Sequence, residues 1–138
     1  MIHSTKYDYY KFPGGGIEDG EDPIIAMVRE TREEAGLVVK PETVKEYGYV
    51  HRIQKSDSDA AVCFIQDNYY YLCEVEKEVV SQCLDDYEAQ ENCVLEYVEP
   101  QIAMRKNRSV AQSPYNPVMF EREAKVIELL MHEGLLDE

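Results

Sequence analysis

The sequence predicts an α+β domain in which one β-sheet lies between helices. Three observations predict it. Residues 23–35 and 117–132 carry apolar side chains near helical spacing. The stretch between them holds aromatic and β-branched runs separated by turn residues. The length, 138 residues, suits one domain with one core. A strand, a helix, several strands and closing helices, in that order, place the sheet in the middle.

Each element has its own justification. Residues 9–12 read as a short strand that stops at the turn signal of residues 13–16. Residues 23–35 read as a helix. Pro23 suits the first turn, Glu21 and Asp22 favour its positive end, and Gly36 is placed to stop it. Residues 44–53 read as a strand with Gly48 as a bulge. Residues 61–65 and 68–75 read as a β-hairpin turning near Gln66 and Asp67. Residues 94–98 are a further strand and residues 100–106 a short helix. The last helix, residues 117–132, aligns Val118, Phe120, Ala124, Ile127 and Met131. Further turn signals fall at residues 57–59, 84–92 and 113–117.

Charge narrows the function. Lys plus Arg number 14 against 28 Asp plus Glu, a net charge of −14. A surface this acidic argues against polymeric nucleic acid, whose binding needs cations to displace counterions, and against anionic membranes. Free nucleotides stay open, because divalent cations invert the local charge. No run approaches the roughly 18–20 apolar residues of a membrane span, and residues 1–12 lack the apolar core of a signal peptide, so a cytoplasmic protein is expected. Cys63, Cys73, Cys83 and Cys93 lie ten apart, which is no zinc spacing; free structural thiols are expected.

The chemistry concentrates between Gly14 and Gly36. Ile24, Val28, Thr31 and Ala35 form one apolar stripe on the helix. Glu30, Glu33 and Glu34, at i, i+3 and i+4, are expected to share the other side. Three crowded carboxylates repel one another unless cations offset them, and an oxygen-only set suits Mg²⁺ or Mn²⁺. Arg29, four residues before Glu33, can hold a carboxylate in place. Gly14-Gly15-Gly16 allows a tight path that presents a bare carbonyl.

This spacing resembles the Nudix box. Gly15, Glu21, Arg29-Glu30-Thr31, Glu33-Glu34 and Gly36-Leu37 match eight of nine constrained positions across 23 residues, Thr31 being the departure. The segments Asp67-Asn-Tyr-Tyr-Tyr-Leu-Cys-Glu74 and Leu95-Glu-Tyr-Val-Glu99 resemble a MutT-like bacterial branch. The resemblance implies an α/β/α sandwich with a mixed sheet. It also implies hydrolysis of a phosphoanhydride in a nucleoside diphosphate-linked or nucleoside triphosphate substrate, by water attack at phosphorus with Mg²⁺ or Mn²⁺. On that resemblance Glu33 and Glu34 are the primary metal ligands with the Gly14 carbonyl, Glu30 either ligates metal or takes the proton from the attacking water, Arg29 orients a carboxylate, and Glu21 supports the loop. A general base outside the box would be Glu88, Glu91 or Glu99. Tyr10, Tyr69, Tyr71 and Arg52 are the candidates for substrate contact; Arg105, Lys106 and Arg108 form the one basic cluster. The alternative is a catalytically weak nucleotide-binding or regulatory module, against which the intact Glu33-Glu34 pair argues. Nudix domains place a strand ahead of the one entering the box, and residues 3–12 leave little room for it. A missing or shortened first strand is therefore expected, with either an N-terminally shortened chain or a homodimer covering the vacant edge.

Overall fold

The computed structural model describes residues 1–56, 58–110, 113–115 and 117–136. Seven strands are β1 Ile2–Ser4, β2 Tyr9–Lys11, β3 Leu37–Val39, β4 Lys45–Lys55, β5 Cys63–Leu72, β6 Val75–Val79 and β7 Cys93–Leu95. Four helices are α1 Pro23–Ala35, α2 Asp86–Gln90, α3 Pro100–Arg108 and α4 Val118–His132. The order matches the sandwich expected from the sequence. Its β layer takes the form of three antiparallel sheets, β2-β1-β7, β3-β6 and β4-β5, rather than one mixed sheet. The short strands explain this. With three residues each, β1, β2, β3 and β7 offer too few backbone pairs to join one continuous ladder.

Helix α1 begins and ends where the sequence places it. Pro23 stands in the first turn, and the Asp22 carboxylate accepts the Ile24 N–H at 2.8 Å as N-cap. Gly36 closes the helix at φ 69°, where an added Cβ would lie 2.1 Å from the Val80 carbonyl oxygen. On one side of the β layer, Ile2, Ala35 and Cys93 pack with Leu37, Leu84 and Leu95. On the other, Tyr10, Ala103 and Ile127 join α3 and α4 to the sheet, with Met1, Phe12, Val98, Met104 and Met131 around them.

A strand does precede β2, and it is of the shortened kind. Ile2–Ser4 lies at the centre of its sheet, pairing with both β2 and β7. The outer edge of β2 is not vacant: Asn107 accepts the Tyr10 N–H and donates to the Tyr10 carbonyl, both at 2.7 Å. One side-chain amide thereby replaces a neighbouring strand.

The hairpin lies elsewhere than expected. Gln66 and Asp67 sit inside β5, opposite Arg52 and His51 of β4. The two strands are closed by Ser56 and Val62, where the Ser56 N–H donates to the Val62 carbonyl at 2.8 Å. The bulge expected at Gly48 is present as a register shift between Glu46 and Gly48. The turns expected at residues 57–59 and 113–117 include Asp57 and Asn116, which lie outside the described residues. Among the described residues, no helix is long and apolar enough to cross a membrane.

Candidate active site

The glycine loop runs from β2 onto the face of α1, and Arg29 organises what it meets. The guanidinium donates to Glu21 through Nε at 3.0 Å and Nη2 at 2.9 Å, a two-pronged grip. Nη1 donates to Glu30 at 2.8 Å and to Glu33 at 3.4 Å, and Nη2 reaches the Gly16 carbonyl at 3.4 Å. Arg29 thus ties the loop to two box carboxylates, and its own pKa is raised by these bonds, that to Glu21 foremost. Glu21 is held below its usual range by Arg29 and by the Glu18 backbone. Its carboxylate accepts the Glu18 N–H, which braces the loop as expected.

Glu30 lies directly beneath the loop. A Cβ on Gly15 would stand 2.5 Å from the Glu30 carboxyl carbon, so a side chain there would push the Glu30 carboxylate aside. Burial raises the Glu30 pKa, with Arg29 partly offsetting it. Gly15→Ala is expected to displace the Glu30 carboxylate, which is flexible, while leaving fold stability within about 1 kcal/mol. Turnover should fall at least tenfold, as read by kcat beside a denaturant midpoint; an alanine variant of full activity would show that Glu30 need not sit there.

Glu34 departs from the expected shared face. It is 3% exposed and turned inward with Thr31 and Ala35. Lys11, from β2, donates to Glu34 at 3.4 Å and to Glu88, from α2, at 2.9 Å. The Gly14 N–H donates to Glu34 at 3.2 Å, so Gly14 meets the site through its amide. Burial pushes Glu34 up to about 8, with Lys11 opposing it. Glu88 experiences the same burial, but its bond to Lys11 leaves it below the usual range.

The remaining predicted residues divide. Glu91 is 3% exposed and its carboxylate accepts the hydroxyls of Ser4 and Tyr9, each at 2.9 Å, and of Tyr115. It is a structural hub, closed to a reacting water. Glu99 is exposed at the start of α3. Tyr10 is 1% exposed, stacks on His3 at 4.4 Å and donates to Glu96 at 2.7 Å, so it packs the core and cannot stack on a base. Arg52 bonds Gln54 and lies over the Phe64 ring. Tyr69 and Tyr71 line one recess of about 130 Å³ with Glu46, Gly48, Tyr49 and Tyr70. A larger groove of about 560 Å³ runs along α1 past Arg29 and Glu33, walled by Ile24, Ile25, Val28 and Cys83. Its presence explains why the stripe predicted for α1 is buried only at Thr31 and Ala35. The four cysteines are free thiols, Cys93 alone of them buried. Two of the three cations of the basic cluster are paired, Lys106 with Asp8 at 2.9 Å and Arg108 with Glu121 at 3.1 Å.

Sequence reasoning missed Lys11. Its signal was a lone cation inside an aromatic strand two residues before the loop.

Comparison with known proteins agrees with the geometry. The family model for the NUDIX domain matches residues 1–117. An RNA pyrophosphohydrolase of Psychromonas ingrahamii is 39% identical over 75 residues, covering 48% of this chain and 40% of that protein. One from Acinetobacter baylyi is 39% identical over 75 residues, with 48% and 43% covered. A third, from Aeromonas hydrophila, is 37% identical over 76 residues, with 49% and 42% covered. The matches span about two fifths of these relatives' length. No solved structure matches the chain. With the box spacing intact, Arg29 joined to three of its glutamates and the family model covering most of its length, the chain belongs to the NUDIX domain family.

Proposed function

We propose that this chain hydrolyses a phosphoanhydride bond in a small nucleotide, with a divalent cation, by water attack at phosphorus. The observation that carries the reading is the convergence of Glu30 and Glu33 on one nitrogen of Arg29, beneath the glycine loop. Two carboxylates gathered around one cationic atom are a donor set of the kind a hard divalent ion takes, with no thiol or imidazole among them. Glu30 and Glu33 are the side chains that would hold it. Among the described residues no three acidic, His or Cys side chains form a ready cage, because Glu34 faces Lys11. When bound, the cation would neutralise phosphate oxygens and acidify an attacking water.

The chain's own groups supply the rest. Arg29 keeps Glu30 and Glu33 oriented, and Glu21 anchors Arg29 from the loop side. In the alternative role, Glu30, part-buried and raised in pKa by that burial, takes the proton from the attacking water in place of ligating the cation. Lys11 and the Gly14 N–H hold Glu34 against the loop, which fixes the loop's height above Glu30. The groove beside Arg29 and Glu33 gives the non-reacting part of a substrate a place to lie.

Relatives named for RNA make RNA the competing substrate class. The net charge of −14 and the pairing of Lys106 and Arg108 with acids support the free nucleotide. The test is a panel of nucleoside triphosphates, diphosphate-linked nucleotides and a 5′-triphosphorylated oligoribonucleotide. Phosphate and diphosphate release is followed with Mg²⁺ or Mn²⁺ and with excess chelator. Release is expected from free nucleotides and is lost in chelator. Full turnover in chelator would overturn the metal, and turnover of the oligoribonucleotide alone would overturn the small substrate. Nucleotide binding with no turnover would favour the regulatory module.

A further inference from the structure

The β4-β5 hairpin turns large apolar side chains to solvent. Along both strands the exposed face carries Tyr49, His51, Ile53, Ile65, Asp67 and Tyr69. The half-buried face carries Val50, Arg52, Gln54, Gln66, Asn68 and Tyr70. An antiparallel hairpin with one wet face normally turns its polar residues outward. Here Tyr49 is 65% exposed, Ile53 60%, Ile65 61% and Tyr69 50%. Those four side chains open roughly 400–500 Å² to solvent in two groups either side of His51 and Asp67, the size of the largest patch on a typical monomer, which is often functional. Neither long edge of the hairpin pairs with another strand among the described residues.

The pattern across the hairpin names its occupant. Opposite pairs on the exposed face run Tyr49 with Tyr69, His51 with Asp67, and Ile53 with Ile65. Each row is matched left to right: aromatic with aromatic, cation-capable with anion, aliphatic with aliphatic, and within one chain Tyr49 already touches Tyr69 and His51 already pairs with Asp67. A two-fold axis along the hairpin lays β4 of one copy over β5 of the other. Tyr49 then meets the partner's Tyr69, His51 the partner's Asp67, and Ile53 the partner's Ile65. A surface that is its own complement under a two-fold rotation is what an isologous dimer needs. Charge agrees. Residues 45–72 hold three Lys or Arg against four Asp or Glu, while the whole chain holds 14 against 28. The hairpin is a nearly neutral region on an acidic body, where a second acidic copy can approach. The area is over half of the ~800 Å² each partner gives to a standard interface, and the flanking strand atoms supply more.

We propose that the exposed face of the β4-β5 hairpin is a homodimer interface, with the two copies' hairpins packed face to face about a two-fold axis along their length. This surface is distinct from the β2 edge, which Asn107 closes. No residue of the Arg29 cluster lies on that face, and the inference gives Tyr69, which with Tyr49 lines the small recess, to the dimer contact in place of substrate.

Sedimentation velocity of the full chain, at micromolar and at hundred-micromolar concentration, tests it. The expected result is a concentration-dependent species of twice the 16.0 kDa chain mass. Ile65→Lys and Asp67→Arg are each expected to weaken the dimer at least tenfold; both positions are surface-exposed, and circular dichroism confirms that the variants are folded. Exchanging the pair, His51→Asp with Asp67→His, is expected to restore it. A chain that stays at single mass at the highest concentration overturns the proposal. So does a dimer indifferent to both single substitutions, which would place the contact elsewhere.

Discussion

Glu33→Gln is expected to lower kcat by about a hundredfold or more while leaving the stability of the fold within about 1 kcal/mol. The two halves of that expectation come from the same geometry. The Glu33 side chain is 41% exposed, and its one ion pair is the 3.4 Å contact to Arg29. An exposed pair of that length adds little to stability, and glutamine keeps the volume. What the substitution removes is one of the two carboxylate charges proposed to hold the cation, Glu30 and Glu33. Rate and stability should therefore separate. The check is kcat from phosphate release at saturating Mg²⁺ beside a urea midpoint for the same preparation. A normally folded variant that keeps most of its kcat would remove Glu33 from the reaction. A variant that loses both together would make Glu33 a structural residue.

The readable parts of this molecule are those whose causes lie close together in sequence. Helix α1 is specified by Asp22, Pro23 and Gly36, all within a turn of its ends, and its bounds follow. The Arg29 cluster is legible for the same reason: Glu30 and Glu33 are one and four residues from Arg29, and Glu21 is eight before it. What was misread depends on distant partners. Helical spacing alone puts Glu34 at the margin between the acidic face and the apolar stripe, and Lys11, 23 residues upstream, decides the matter by drawing it inward. Glu88 and Glu91 read as a solvated acidic loop. They are buried because Lys11, Ser4, Tyr9 and Tyr115 come to them across the fold. Tyr10 looks like a stacking platform until Asn107, 97 residues on, fastens its backbone in the core. The hairpin was misplaced for another reason. Gln66-Asp67 carries turn-like residues, and only cross-strand pairing with Arg52 and His51 shows that they continue a strand. Strand register is set by such non-local pairing, which one strand's composition does not encode.

Lys11→Met is expected to be the most destabilising single change near the site, by about 3–5 kcal/mol at pH 8. Methionine keeps the apolar stem but leaves Glu34 and Glu88, both about 3% exposed, as two facing acids with no cation between them. The sign of the pH dependence follows from the two glutamates. Glu34, raised to about 8 by burial, is favoured in its protonated form, so its contribution to stability is present at low pH and lost as pH rises through that value. Glu88, lowered by its bond to Lys11 despite burial, contributes stability above its unfolded pKa, and that contribution disappears with the lysine. Both changes make the variant's deficit larger at pH 8 than at pH 5, where the acids can share protons. Urea denaturation of Lys11→Met and the parent chain at the two pH values measures it. Adding Glu34→Gln and Glu88→Gln to Lys11→Met removes the unpaired charges and should recover most of the loss at pH 8. If the deficit is equal at both pH values, or the triple variant recovers nothing, then Lys11 acts by packing its stem. The salt-bridged trio joining β2, α1 and α2 would then not be what holds the glycine loop over Glu30.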